Sequence, residues 1–176
     1  MNSDLLNSIS KIDDHRSLKK ASYAVVDPDQ TISQLLDIIE TGVHPDIKKY
    51  AYVLSHIIES NPDRIDEYIP KLVSILSSNK MASIKRDLLR ALQSCKIPTT
   101  TSGLLVSICF DYLVGKEPTA VKVFAMTTIS NQCLEHPDLS RELRIVVEEL
   151  MKYGTPGIHS RGKRVINCLD KIDRKK

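Results

Sequence analysis

The chain has 176 residues, 41% hydrophobic and 27% charged, the balance of a globular protein with enough apolar material for a core. Its net charge is only +3, and with 5% aromatic residues and no tryptophan it is poorly supplied for sites built from stacked rings. No uninterrupted apolar run of about 18 residues appears, which excludes a membrane-spanning helix.

The first residues, Met1-Asn-Ser-Asp-Leu-Leu6, lack the basic and apolar regions of a secretory signal. Cys95, Cys109, Cys133 and Cys168 are scattered without a close pair, as in a reduced protein, so a cytoplasmic location is expected. Leu5, Leu6, Ile9 and Ile12, then Leu18, Ala21 and Val25, have helical spacing. Residues 1–27 are expected to form a helical N-terminal cap that stands outside the register of the remaining chain.

From residue 28 onward the chain repeats every 37 residues. Ile47, Ile84, Val121 and Ile158 fall in one column. Upstream columns are Ile32/Ile69/Val106/Leu143, Leu35/Leu72/Cys109/Val146, Leu36/Val73/Phe110/Val147 and Ile39/Leu76/Leu113/Leu150. At this apolar content a column of four is wholly apolar by chance about 3% of the time, so five in one register mark a real repeat. Within each unit the spacing is helical twice: positions 32, 35, 36 and 39 form one stripe, and 47, 51, 54, 55 and 58 another.

Gly42, His44-Pro45, Asn61-Pro62, Pro98, Gly115, Pro118, His136-Pro137 and Gly154-Thr-Pro156-Gly157 supply the breaks. The spacing therefore predicts four helix pairs. The first (A) helices lie near 29–41, 62–78, 101–114 and 138–152, the second (B) helices near 45–60, 82–95, 119–133 and 157–173. No long strand pattern exists, and the fold class is all-α.

Each B helix opens on an aliphatic residue followed by a basic one and, four positions on, a small or apolar one: Ile47-Lys48-x-x-Ala51, Ile84-Lys85-x-x-Leu88, Val121-Lys122-x-x-Ala125 and, more loosely, Ile158-His159-x-x-Gly162. This pattern resembles the HEAT repeat, over about residues 28–175. The resemblance implies a right-handed α–α superhelix of four repeats across residues 28–176, a single domain with A helices on the convex side and B helices on the concave side. It also implies a surface for protein partners rather than an enzyme. One departure stands out. Where HEAT units carry an aspartate between the helices to pair with the basic residue, this chain has Gly42, Asn79, Lys116 and Tyr153.

The A spans hold six more acids than bases, and the B spans five more bases than acids. A concave basic face concentrates its field on an acidic partner. The expected groove therefore runs along Lys48, Lys49, Tyr52, Lys85, Arg86, Leu89, Lys122 and Met126, a basic row beside an apolar one, suited to an acidic amphipathic peptide. Against this, several A-helix acids sit in first turns, where the helix dipole favours them whatever the partner.

Other chemistry is thinly represented. Gly157-Ile-His-Ser-Arg-Gly-Lys163-Arg164 approaches a phosphate loop but has arginine where that loop needs Ser or Thr; Arg161 and Lys163 remain as an anion-site candidate at a helix start. No metal-ligand spacing, cofactor motif or catalytic signature is found. Nucleic acid is the alternative partner. HEAT-like folds include alkylbase DNA glycosylases, which use aromatic side chains and a carboxylate, and Asp87, in a column with Tyr50 and Phe124, is the one group that faintly resembles such a cluster.

Overall fold

The computed structural model describes residues 3–174, with side chains from Leu5 onward. Among these residues there are ten α-helices, two short 3₁₀ turns and no strand. The chain forms two compact units, one ending at Pro98 and the other beginning at Thr99.

The first unit contains α1 (Ser3–Ser10), α2 (His15–Tyr23), α3 (Pro28–Thr41), α4 (Ile47–Ser60), α5 (Ile69–Ser78) and α6 (Ala82–Leu92). Local sequence explains the boundaries. Asp14 and Asp27 accept from the backbone N–H groups of Ser17 and Gln30, capping α2 and α3. Pro28 opens α3, where its missing N–H costs nothing. Gly42 ends α3 at φ 73°, a left-handed conformation that a side chain would strain.

Helix α3 packs on α4 and α5 on α6, while the second helices α2, α4 and α6 lie against one another in sequence. In the second unit α7 (Thr99–Val114) packs on α8 (Thr119–Gln132), α9 (Leu139–Lys152) packs on α10 (Pro156–Asp173), and α8 lies against α10.

The columns of the 37-residue repeat are the core. Ile32, Leu35, Leu36 and Ile39 of α3, Ile69, Leu72, Val73 and Leu76 of α5, and Ile47, Ile84, Val121 and Ile158 at the B-helix starts are all buried. Exceptions are Phe110, Val146 and Leu150, which are half-buried. Gly162 stands where other repeats have Ala51, Leu88 and Ala125. A Cβ there would come within 2.8 Å of Met151 Cγ, so the smallest residue lets α10 approach α9.

One helix needs correction. The single element predicted near 62–78 is broken into 3₁₀ turns at Pro62–Arg64 and Asp66–Tyr68, followed by α5 from Ile69. Pro70 is the reason: its ring and missing donor prevent an α-helix from running through residue 66, four positions earlier. The N-terminal segment also takes up the repeat interval. Helix α2 lies against α4 as α4 lies against α6, and Leu18 is buried like Leu92 and Ile129, which share its column. The register is hard to see because α2 begins only at His15. The B-helix columns therefore read Ser10, Asp14 and Ser17 instead of Ile47, Ala51 and Leu54.

Because Leu72 is fully buried on α5, which packs against α3 and α6, Leu72→Ala should destabilise the protein by about 2–5 kcal/mol through lost transfer energy and a residual cavity. A urea titration followed by circular dichroism measures this; an unchanged midpoint would contradict the packing.

Candidate partner-binding face

On α4, positions 48, 52, 56 and 59 succeed one another at helical spacing, and Tyr52 and His56 meet side chains of the neighbouring α2 and α6. Tyr52 sits at the centre. The His15 ring on α2 packs edge-on against it at a centroid distance of 4.7 Å, and the His56 ring does the same from the next turn at 4.7 Å. The Arg90 guanidinium of α6 lies 5.5 Å from the Tyr52 centroid, a cation–π contact. His15 stands one repeat before Tyr52, the register signal that identifies it.

Beneath this surface lies a carboxylate. Asp87 is 1% exposed, and Arg86 grips it with two hydrogen bonds of 2.9 Å from Nε and Nη2. Arg90 Nη2 approaches the same carboxylate at 3.8 Å. A buried carboxylate is tolerated only when paired and hydrogen-bonded. The pairing also draws the two arginines toward a single point.

His56 completes the cluster. Arg90 Nη1 lies 3.2 Å from His56 Nε2, and His56 Nδ1 lies 2.9 Å from Glu59 Oε2. Arg90 has only hydrogens to offer, so Nε2 accepts and Nδ1–H donates to Glu59, the neutral tautomer assigned from the network. Burial holds the imidazole below its ordinary pKa. The Glu59 hydrogen bond opposes this, and the charges of Arg90 and Lys19 reinforce it.

The residues expected in a groove divide sharply. Lys48 is exposed and Tyr52 and Arg86 are half-buried. Lys49 is committed elsewhere: its ammonium donates to Ser10 C=O at 2.7 Å and pairs with Asp13 and Asp46 at 3.0 and 3.5 Å. Lys85 is 9% exposed, and Leu89 is fully buried. In the second unit Met126 is fully buried, and Lys122 donates to the Leu113 carbonyl near the end of α7 at 2.7 Å. The apolar row is therefore core. Leu89 and Met126 sit one residue beyond the core positions Leu88 and Ala125, and a neighbouring B helix, α4 or α10, packs against each of their helices. Lys19 and Arg90 complete the face with His15, and of these three only His15 shares a repeat column with Tyr52.

The anion-site pair is also not assembled. Arg161 donates to Thr127 Oγ1 and lies 5.9 Å from the Phe124 ring, both on α8, whereas Lys163 is exposed; residues two apart on a helix do not share a face. Thr155 already caps α10 by accepting from Ile158 N–H. The glycosylase-like grouping fares no better. Tyr50 is buried with its hydroxyl 2.9 Å from Ser10 Oγ, and Asp87 is sealed beneath Arg86. Burial pushes the Cys95 and Cys133 thiols up to about 12 and about 11 and raises Cys109 as well, the reverse of an activated nucleophile. Among the described residues no group of His, Cys, Asp and Glu is placed to hold a metal, and no helix is long and apolar enough to cross a membrane.

Residues 3–169 match the HEAT repeat domain family. The chain belongs to the HEAT-repeat family. HEAT repeats are generally scaffolds for protein interactions and typically not enzymes. No curated protein and no solved structure matches the chain. Within this HEAT protein the positions of the absent inter-helix aspartate are used differently. Gly42 terminates α3 in the left-handed conformation, and Asn79 Oδ1 accepts from Met81 N–H at 2.8 Å to shape the turn before α6. Lys122 caps a carbonyl of its own A helix instead of pairing with a carboxylate.

Folded His56 binds a proton less readily than unfolded His56, so its contribution to stability is complete above the unfolded pKa of about 6.5 and is lost as pH falls below it. The charged and titratable groups around it are Lys19 from α2, Tyr52 and Glu59 from α4, and Arg90 from α6, with His15 packed on the same Tyr52 ring. A His56→Gln variant should lose less melting temperature than the wild type between about pH 7 and pH 5. Parallel melting curves for the two proteins across that range would show that His56 is not the coupled group.

Proposed function

We propose that this protein is a non-catalytic scaffold that captures an acidic segment of a partner protein on the B-helix face of its first unit. The observation that supports this most directly is the concentration of Lys19, Lys48, Arg86 and Arg90 around Tyr52, against Glu59 and the buried Asp87. A tyrosine flanked by arginines is the composition of an interface centre, because it offers rigid contact area and fixed donors at low entropic cost. The positive field hastens encounter with an acidic partner and disfavours basic ones.

The nucleic-acid alternative has less support. Backbone binding needs several exposed cations along a track, and Lys85, Lys49 and Lys122 are buried or committed. In the second unit Arg161 and Lys122 are likewise engaged within it.

Lys19 and Lys48 have no core role, so Lys19→Glu/Lys48→Glu tests the face without disturbing the fold. Pulldown from the native lysate with the wild type should retain an acidic protein, and the double variant should retain at least about tenfold less, at unchanged helicity by circular dichroism. Equal capture by both proteins would remove this face from partner binding.

A further inference from the structure

Asp87 stands at an unfavourable place for a charge, a carboxylate 1% exposed on the B-helix side of α6. Two arginines one helical turn apart hold it, Arg86 at 2.9 Å through Nε and Nη2 and Arg90 at 3.8 Å through Nη2. The arginine side chains remain 30% and 22% exposed. The carboxylate thus lies below and the two guanidiniums above it, drawn together and partly open to solvent. Arg90 is further steadied against the Tyr52 ring and by His56. Two planar forks held at one spot on a binding face form an arrangement that lysines cannot reproduce.

Building on the reading of this face as an acid-binding surface, we infer that the anion it selects is the phosphate of a phosphorylated peptide, with Asp87 as the residue that positions Arg86 and Arg90. A glutamate or aspartate carboxylate has two oxygens and one charge, and one guanidinium fork satisfies it. A phosphate monoester has three terminal oxygens and close to two charges at neutral pH. It draws on two converging guanidiniums at once, through the N–H groups of Arg86 that its Nε/Nη2 pairing with Asp87 leaves over and through the solvent-facing part of Arg90. The exposed Lys48 and half-buried Lys19 supply the surrounding positive field, and the Tyr52 ring supplies a wall for the peptide. A nucleic-acid strand fits less well, because its phosphodiesters carry one charge each and are bound by a track of cations rather than by a single convergent pair.

Fluorescence polarisation with the full chain tests this, using degenerate peptide libraries whose central residue is phosphoserine, phosphothreonine, glutamate or serine, and a single-stranded oligonucleotide as a separate probe. The phosphorylated libraries should bind at least about tenfold more tightly than the glutamate library. Arg86→Lys/Arg90→Lys, which keeps both charges and removes both guanidiniums, should bring that ratio close to one while the glutamate library still binds. Binding is measured below the melting temperature of the variant, which falls because Asp87 loses its bidentate partner. Asp87→Asn should lower the ratio in the same direction; should that variant fail to fold, the double lysine variant decides.

Equal affinity for phosphorylated and glutamate libraries overturns the phosphate assignment and leaves the acidic-partner reading standing. Absence of binding to every peptide overturns both. Oligonucleotide affinity matching or exceeding that of the phosphopeptides overturns the peptide assignment in favour of a nucleic-acid backbone.

Discussion

A helix pair of this length cannot bury its apolar stripe alone, and that constraint governs both units. Each A helix of the first unit presents residues such as Leu35 and Ile39 or Leu72 and Leu76 to its own B helix and to the neighbouring pair. The interval of 37 residues keeps these stripes in step, so burial is continuous from one pair to the next. The polar layout depends on that stacking. Side chains that do not enter the seam are delivered, one turn at a time, to the outer side of the A helices or to the B-helix face.

On the A side the acids are partly answered locally. Arg64 pairs with Asp29 at 2.9 Å, and Lys71 bridges Asp37 and Glu40 at 2.5 and 3.0 Å. These are exposed pairs worth about 0–1 kcal/mol each, and their effect is to tie successive A-side segments rather than to form a site. On the B side of the first unit the arrangement differs in kind. Asp87 is buried and must be paired, and the residues that pair it are the same arginines that stand on the proposed binding face. Under that proposal a requirement of stability and a property of recognition share one set of atoms.

Much of this fold is legible in the residues. Columns such as Ile47/Ile84/Val121/Ile158 are apolar because those positions meet the core in every unit, and proline and glycine mark the turns between them. The break at Pro70 is hidden because the apolar stripe of α5 continues past it: periodicity reports which side faces inward and is silent about a lost donor. The register of α2 is hidden because a shortened helix leaves polar residues in the columns that are apolar elsewhere. The candidate site is legible only in part. Tyr52, Arg86 and Lys48 are recognisable from their spacing, but Lys85, Leu89 and Lys122 share that spacing and are buried or engaged.

The sequence alone determined an all-helical repeat of 37 residues, its apolar stripes and the separation of acids from bases between the two helices of each pair. These are properties of position along a helix, and position is local. Tertiary structure decided which basic residues are available: α6, packed against α4 and α5, has Lys85 and Leu89 buried, the end of α7 takes Lys122, and α2 brings His15 to Tyr52 and the charge of Lys19 near His56. Whether a charge faces water or a neighbouring backbone depends on the helix packed beside it, and no spacing within a single helix contains that information.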